Sequence, residues 1–327
     1  MKRLLSAILT LIMIFALLPA AALTANAEPA DGEGLRIAAA SLLVHQDIVV
    51  RYAAIVPTGM TDPYMVVEVN GQRSTLQPSG EDSKGRLLFE VTTLTPDMMG
   101  DNVSATLYAT SGDQLVSDSK PEYSIRQYCL NLMAAYPDDE SLQTLLADML
   151  VYGAATQTFT GHNASALVTA GVDLSNATVF NDLTAADSAF SKTGTADEAV
   201  CWTGVGLVCG SRMTMYFDLT TTVGAATSVE ITINGRTTTY PYAAIKTGDP
   251  TVCRVLFRGI AATEYGDTVT AVLKNNGTQV GETMTYSVDS YVYSMQHNTE
   301  YENLAPLVQA ICNYGNSAKN YVESLGD

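Results

Sequence analysis

Residues 100–107 read Gly-Asp-Asn-Val-Ser-Ala-Thr-Leu, and residues 266–273 read Gly-Asp-Thr-Val-Thr-Ala-Val-Leu. This recurrence belongs to a series of repeated pairs that keep the same order along the chain, with a period of about 163 residues. The other pairs are Val69-Asn70-Gly71 with Ile233-Asn234-Gly235, Leu88-Phe89 with Leu256-Phe257, Tyr123-Ser124-Ile125 with Tyr286-Ser287-Val288, and Tyr152-Gly153 with Tyr314-Gly315. Because a constant order with slightly drifting offsets is typical of a duplication with loop insertions, the sequence predicts two copies of one unit.

The first three-fifths of each predicted unit has the two-residue period of β-strands. From Met213 to Leu219, apolar residues alternate with Thr214, Tyr216 and Asp218. Asn70-Gly71 and Asn234-Gly235 each separate two strand-like runs, and Asn-Gly predicts a hairpin because both turn positions need positive φ. Further strands are predicted at residues 87–91, 103–109, 254–259 and 269–274. Short strands with turns at this spacing predict an Ig-like β-sandwich.

The remainder of each unit has apolar residues at the i, i+3, i+4, i+7 spacing of helices. The helix that begins near Ile125 is predicted to end at Pro137-Asp138-Asp139, which also offers a cap for the next helix. In the second unit a break at His297-Asn298-Thr299 separates two helical runs, and Pro306 places the start of the last helix near Leu304. We therefore expect an α+β fold in which an antiparallel helical hairpin follows each sandwich.

Two residue types in the helical regions suggest specific packing. Gly153 and Gly315 lie inside predicted helices, where glycine costs about 1 kcal/mol relative to alanine, so we expect a close backbone approach at both positions. Four tyrosines surround these glycines and offer either core packing or an aromatic platform for a ligand; core packing is the preferred interpretation. They are Tyr128, Tyr152, Tyr291 and Tyr314.

The N-terminus has the features of a secretory signal peptide. Two basic residues precede an apolar run over residues 4–18, and Ala25-Asn26-Ala27 fits the cleavage pattern of signal peptidase. The run is short for a stable membrane span, so we expect secretion and no span after cleavage. The predicted organisation is a signal peptide at 1–27, a polar segment at 28–34, a first unit at 35–165, a linker at 166–198 and a second unit at 199–327.

Charge restricts the class of partner. The chain has 34 acidic and 17 basic residues, a formal charge of −17, and loss of the signal peptide makes it about −19. Such a surface repels phosphate backbones and anionic lipid, so nucleic acid is excluded as an expected partner. An unidentified extracellular protein or glycan is the expected partner. The C-terminus has no LPxTG-like motif, so we expect the mature protein to be released or held non-covalently at the cell surface.

The five cysteines are an odd number, so at least one has no partner within the chain. Cys129 and Cys312 fall on apolar helix faces, where a thiol behaves as a small hydrophobic group. A disulfide from Cys201 or Cys209 to Cys253 remains open. No Cys or His grouping has zinc-ligand spacing.

The sequence contains no recognisable catalytic motif. None of His45, His162 and His297 has an ionisable partner at a catalytic spacing, and each is interpreted as a surface or loop residue. The densest acidic group, Asp138-Asp139-Glu140, is explained by a helix start, and Gly204-Val205-Gly206 has no following helix that would make it a phosphate loop. We therefore assign no catalytic, cofactor-binding or metal-binding residue.

A helical motif resembles a known kind of repeat. The stretch Leu145-Leu146-Ala147-Asp148-Met149-Leu150-Val151-Tyr152-Gly153-Ala154-Ala155-Thr156-Gln157 follows Tyr123-Ser124-Ile125-Arg126-Gln127-Tyr128. This pair resembles a YS…Y helix and an LL..ML.YGAA.Q helix in mostly uncharacterised secreted or cell-surface proteins of Clostridia-type Firmicutes. The second copy departs from it at Asn316-Ser317-Ala318-Lys319. The resemblance implies location and architecture, and no catalytic residue.

These observations support two functional hypotheses. The first is a non-catalytic extracellular module protein with a role in binding, adhesion or spacing, since duplication suits multivalent binding. The second is a secreted polysaccharide or peptidoglycan hydrolase, or an accessory to one, which would need a cleft with two carboxylates. Trp202 is the only tryptophan, which weakens a carbohydrate-stacking platform under either hypothesis.

Overall fold

The computed structural model describes residues 34–44, 48–197, 199–208, 213–221, 226–245 and 253–325, together with a two-residue strand at 12–13. The predicted signal peptide lies outside these residues apart from that strand, as do residues 28–33, His45 and Cys209. The described residues form an α+β fold built on antiparallel sheets, which confirms the predicted class.

Nine strands lie in the first half of the described chain. They are β1 (Ile12–Met13), β2 (Arg36–Val44), β3 (Ile48–Ile55), β4 (Met60–Val69), β5 (Gln72–Leu76), β6 (Gly80–Glu81), β7 (Leu87–Val91), β8 (Val103–Ser111) and β9 (Gln114–Tyr123). They form one sheet of order β1-β2-β3-β7-β6 and a second of order β5-β4-β8-β9. The strands predicted in this half are present as β4, β5, β7 and β8, whereas β2, β3 and the polar strand β9 were not predicted.

Eight strands lie in the described part of the second half. They are β10 (Ser191–Thr193), β11 (Val200–Val208), β12 (Thr214–Thr221), β13 (Ser228–Ile233), β14 (Arg236–Pro241), β15 (Cys253–Phe257), β16 (Val269–Asn275) and β17 (Thr278–Tyr286). Their sheets have the orders β11-β12-β15 and β10-β17-β16-β13-β14. The order β11-β12-β15 matches β2-β3-β7, and β14-β13-β16-β17 matches β5-β4-β8-β9, while β10 adds an edge strand from the predicted linker.

Both predicted Asn-Gly hairpins are confirmed. Asn70 and Asn234 have φ of 52° and 48°, and the glycine after each is also positive, as the turn requires. Each asparagine also donates from its side chain to the aspartate of the repeated Gly-Asp pair. Asn70 Nδ2 lies 2.5 Å from Asp101 Oδ2, and Asn234 Nδ2 lies 2.8 Å from Asp267 Oδ2. The same residues therefore fix the same turn in both halves.

Alternating burial along the strands builds the core. On β8, Val103, Ala105, Leu107 and Ala109 are buried, and the residues between them are more exposed. Trp202 is also buried, donates its indole N–H to the Glu282 carbonyl at 2.8 Å and packs edge-on against another core aromatic. The only tryptophan is thus a core residue and offers no exposed platform.

The α-helices of the described residues are α1 (Ile125–Ala135), α2 (Glu140–Thr160), α3 (Tyr242–Ile245), α4 (Val288–Gln296) and α5 (Ala305–Ser324). Short 3₁₀ helices lie at Pro96–Met98, Ala262–Glu264 and Thr299–Leu304. Ser124 and Ser287 cap α1 and α4, and the Asp139 carboxylate accepts from the Leu142 amide at 3.0 Å at the start of α2. This confirms that the acidic group serves a helix start. The predicted beginning of α5 near Leu304 is also confirmed.

The main helix pair differs from the expected one. We predicted that the two helices of each unit would pack on each other as a hairpin, but the most extensive helix pair joins the two halves. Helix α2 packs more extensively against α5 than against α1. Ser141 Oγ lies 3.1 Å from Ser324 Oγ, and the rings of Tyr152 and Tyr314 stack with centroids 5.6 Å apart, so the two helices run antiparallel. Sequence periodicity defined the apolar faces but could not show which face meets which.

The expected close approach at the two helical glycines is confirmed. A Cβ at Gly153 would lie 2.8 Å from Met99 Sδ and 3.2 Å from the Pro96 carbonyl oxygen. A Cβ at Gly315 would lie 2.7–2.9 Å from the Tyr265 side chain. In both halves the neighbour is the 3₁₀ turn before the Gly-Asp pair, so the glycines set the distance between helix and turn.

The segment 166–198 lies against both halves. The Asp148 carboxylate on α2 accepts from the Thr178 amide at 2.8 Å and from the Thr178 hydroxyl at 2.7 Å. From α5, Asn313 Nδ2 donates to the Thr178 carbonyl oxygen at 2.8 Å. Thr178 therefore bridges α2 and α5, and the Val168 amide adds a second attachment to α2 by donating to Gln157 Oε1 at 2.9 Å. Among the described residues, none of the helices combines the length and apolar character needed to cross a membrane.

Candidate functional site

An open cleft of about 600 Å³ lies in the second half of the chain, and we call it the α4 cleft. Its walls come from the segment 188–192, strand β11, the end of β17 and helix α4. The residues that line it are Ser188, Phe190, Lys192, Thr203, Gly204, Val205, Met284, Tyr286, Ser290, Tyr293, Ser294, His297 and Asn298. Clefts of this size with a few polar groups are the usual form of small-ligand sites.

One hydrogen bond to α4 and two to β17 hold the segment 188–192 in place. The Ala189 amide donates to Ser290 Oγ on α4 at 2.8 Å, and the Thr285 hydroxyl on β17 donates to the Ala189 carbonyl at 2.6 Å. Ser191 Oγ also lies 2.8 Å from Thr285 Oγ1. One wall of the cleft is therefore a fixed strand edge, even though the sequence predicted this segment as linker.

A β-bulge shapes the opposite wall. Trp202 pairs with Leu219 and Gly204 pairs with Asp218, so Thr203 is the extra residue of β11 and its side chain is exposed. Bulges redirect side chains and are frequent beside binding sites. Gly204 was set aside in the sequence because no helix follows it, and the structure places it at this bulge in the cleft wall.

Aromatic groups stand on both sides of the cleft. The Phe190 side chain is 52% exposed and meets Tyr286 edge-to-face, with ring centroids 6.0 Å apart. At the C-terminal end of α4, the rings of Tyr293 and the cap residue His297 lie 4.3 Å apart. His297 Nδ1 lies 2.8 Å from the Tyr293 carbonyl oxygen, so Nδ1 carries the proton and Nε2 of the neutral ring is an acceptor. The cleft thus offers apolar ring faces and hydrogen-bonding groups together.

Lys192 supplies the charge of the cleft. Its Nζ donates to the Trp202 carbonyl oxygen at 2.8 Å, which orients the ammonium group against the β11 wall. An ammonium group has three donors, so this bond leaves two for a ligand. The lining residues include no aspartate or glutamate. The lining side chains therefore carry a lysine charge and no carboxylate, within a chain of formal charge −17.

The four tyrosines singled out in the sequence do not gather at this cleft. Tyr128, Tyr152 and Tyr314 are buried, which confirms core packing for these three, and Tyr291 is half-buried against the core. Burial raises the pKa of Tyr314. The tyrosines and phenylalanine of the cleft were not identified in advance. The available signal was Phe190, an isolated aromatic residue in a polar segment.

The histidines have different environments. His45 lies outside the described residues, and His297 lies in the cleft wall. His162 Nε2 lies 2.8 Å from Asp101 Oδ2, and Asn163 Nδ2 lies 2.7 Å from Asp101 Oδ1. Sequence spacing gave no such partner for His162, since Asp101 is 61 residues away. The Asp101 carboxylate also accepts from the first hairpin, so this cluster ties the end of α2 to the sheet.

The described cysteines are free thiols. Cys201 pairs with Thr220 and Cys253 with Leu219, and adjacent positions of one strand face opposite sides of a sheet. A bridge between Cys201 and Cys253 therefore has no suitable geometry, and the options that involve Cys209 fall outside the described residues. Burial raises the pKa of both Cys129 and Cys312 to about 12, as expected of inert core thiols.

Within the part of the chain that the structure describes, no group of three or more His, Cys, Asp and Glu side chains is arranged to hold a metal ion. No family model matches the chain, and no curated protein matches it. The solved structures that share weak similarity with the chain include two of known identity. One is a Ca²⁺-stabilised adhesin that helps an Antarctic bacterium bind ice, with 15% identity, 73% of this chain and 43% of that chain covered, and a TM-score of 0.18.

The second similar structure is a pullulanase from Anoxybacillus sp. LM18-11 in complex with maltotriose. It shares 13% identity and a TM-score of 0.17, and the similarity covers 73% of this chain and 24% of that chain. The chain therefore spans less than half the length of either protein. At these scores neither similarity supports an argument about function.

Proposed function

We propose that this protein is a secreted, non-catalytic binding protein whose ligand site is the α4 cleft. The observation that carries the proposal is the combination of exposed Phe190, the Tyr293–His297 pair and a lysine around one open cleft. Such a combination of ring faces with a few oriented polar groups suits recognition of a small ligand or a chain segment.

The architecture that we infer is two tandem units, each an Ig-like sandwich followed by helices, at residues 35–165 and 199–327. The matched strand orders, the two Asn-to-Asp contacts and the two glycines at 3₁₀ turns support a duplication. Membership of the Clostridia-type repeat proteins, a cleaved signal peptide at 1–27 and an extracellular or non-covalent cell-surface location are parts of the same proposal.

The hydrolase hypothesis gains no support from the cleft. Glycosidases of the common types place two carboxyl groups on either side of the scissile bond. The side chains that line the α4 cleft provide hydroxyl, amide, imidazole, ammonium and aromatic groups instead. A binding role is therefore the function that the cleft supports best.

Binding of residues 28–327 to glycan and extracellular-protein arrays tests the proposal. We expect at least one class of ligand to bind, and we expect Phe190→Ala to weaken that binding about tenfold or more, because aromatic contacts dominate such sites. Tyr108→Ala, which removes one ring of the Tyr64–Tyr108 stack on another sheet, is the matched control. Binding that survives Phe190→Ala, or no binding at all, would overturn the proposed role of the cleft.

Location needs its own measurement. Fractionation of producing cells should place a chain that begins at Glu28 in the medium or in a salt-extractable surface fraction. Recovery of the uncleaved chain from the cytoplasm would contradict the secretion proposal.

A further inference from the structure

We propose that the α4 cleft recognises a sugar unit that carries a carboxylate, such as a uronic or nonulosonic acid within a glycan. This inference rests on the proposed binding function and specifies the ligand class of the same site. Three features of the cleft lead to it: its local charge, its ring faces and its hydrogen-bonding side chains.

The charge of the cleft favours an anionic group. Lys192 is the cationic side chain among the lining residues, and no lining carboxylate neutralises it. Its bond to the Trp202 carbonyl fixes the ammonium position, so a ligand carboxylate meets an oriented donor. Hydrogen bonds between an ammonium group and a carboxylate are shorter and roughly twice as strong as neutral ones.

The walls around Lys192 suit a pyranose ring. Phe190 is a neighbour of Lys192 on the same segment, and its half-exposed ring provides an apolar face for the C–H groups of a sugar. Across the cleft, Thr203 at the bulge and Ser294 on α4 present exposed hydroxyl groups, which both donate and accept hydrogen bonds as sugar hydroxyls do. His297 Nε2 adds an acceptor in the neutral ring.

Because the whole chain is acidic, a glycan with few and widely spaced carboxylates fits the cleft better than a densely anionic polymer does. A formal charge of −17 repels dense polyanions at long range, while a single carboxylate next to Lys192 gains a local contact. A basic peptide would gain from the overall charge and would be repelled by Lys192, so a peptide of that kind does not match the cleft.

The experiment is calorimetric titration of residues 28–327 with a panel of acidic oligosaccharides, each paired with its carboxyl-reduced form. We expect an acidic member to bind at least about tenfold more tightly than its reduced partner, from the strength of a charge-assisted bond. Lys192→Gln should remove this difference, and Lys192→Arg should retain most of it. Thermal melts of both variants verify that the fold is intact.

The outcomes separate this inference from the proposed function. If the reduced sugars bind as tightly as the acidic ones and Phe190→Ala weakens both, the carboxylate inference is wrong and the binding function stands. If Lys192→Gln leaves the preference for acidic sugars unchanged, the assigned contact is wrong. If no sugar of the panel binds but an array protein binds through Phe190, the ligand class is wrong; if nothing binds, both proposals fail.

Discussion

Gly315 and Gly153 occupy equivalent positions in helices α5 and α2, yet their surroundings differ. The nearest atoms to a Cβ at Gly315 include Tyr265 Cβ at 2.9 Å, which is fixed by its own backbone. At Gly153 the nearest atom is Met99 Sδ, near the end of a flexible side chain. The two helical glycines are therefore expected to tolerate substitution by alanine to different extents.

Gly315→Ala should destabilise the protein by about 1–2 kcal/mol, because Tyr265 Cβ cannot move aside and the overpacking cost, about 2–3 kcal/mol, exceeds a helix-propensity gain of about 1 kcal/mol. Gly153→Ala should cost less, since Met99 can move and the fixed Pro96 carbonyl oxygen, at 3.2 Å, is farther away than Tyr265 Cβ is from Gly315. Chemical denaturation measures both changes. Gly80→Ala is the control, because its Cβ meets nothing within 4 Å, and a Gly315→Ala protein as stable as wild type would refute the packing argument.

The Asp148 carboxylate binds Thr178 of segment 166–198, and its protonation is linked to the stability of the fold. Burial raises the pKa of Asp148, and hydrogen bonds from Thr178 and Ser317 oppose that rise. The folded protein therefore holds the Asp148 proton more tightly than the unfolded chain, whose aspartates titrate at about 3.9. The free energy of unfolding contributed by this group falls as the pH rises from that value through the folded-state pKa.

Asp148→Asn should remove this pH dependence. The unfolding free energy of wild type relative to the variant should decrease between about pH 3 and the raised folded-state pKa, and then stay constant. Asp173→Asn is the control of opposite sign, because hydrogen bonds from Ser175 lower the pKa of the exposed Asp173. A difference between wild type and Asp148→Asn that does not change with pH would contradict the assignment.

Among the elements, those with strong periodicity were predictable and those defined by contacts were not. The helices and the Asn-Gly hairpins follow from spacing that both halves share. Strands β9 and β17 carry mixed polar residues, and β10 is a three-residue edge strand, so they lack a readable pattern. The pairing of α2 with α5 depends on complementary surfaces far apart in sequence.

The α2–α5 pair can be tested by a double-mutant cycle on Tyr152→Leu and Tyr314→Leu. We expect an interaction energy of about 0.5–1.5 kcal/mol, which is typical of stacked aromatic rings. Tyr314→Leu combined with Tyr64→Leu should be additive, since Tyr64 stacks on Tyr108 instead. Additivity for Tyr152 and Tyr314 as well would mean that the two helices do not meet in this way.

For the whole molecule, the sequence predicted the α+β class and the two Asn-Gly β-hairpins, but it did not locate the α4 cleft. The cleft combines residues from a segment predicted as linker, a bulge in β11 and helix α4. A bulge changes which side chains face outward by one position, and alternation alone does not reveal it.

The most direct test of the central claim is nuclear magnetic resonance mapping of residues 28–327 with a bound acidic oligosaccharide. The account predicts that chemical-shift changes concentrate on residues 188–192, on Thr203–Val205 and on helix α4. Changes centred on another surface, such as the Tyr64–Tyr108 stack, with the α4 cleft unaffected, would contradict it.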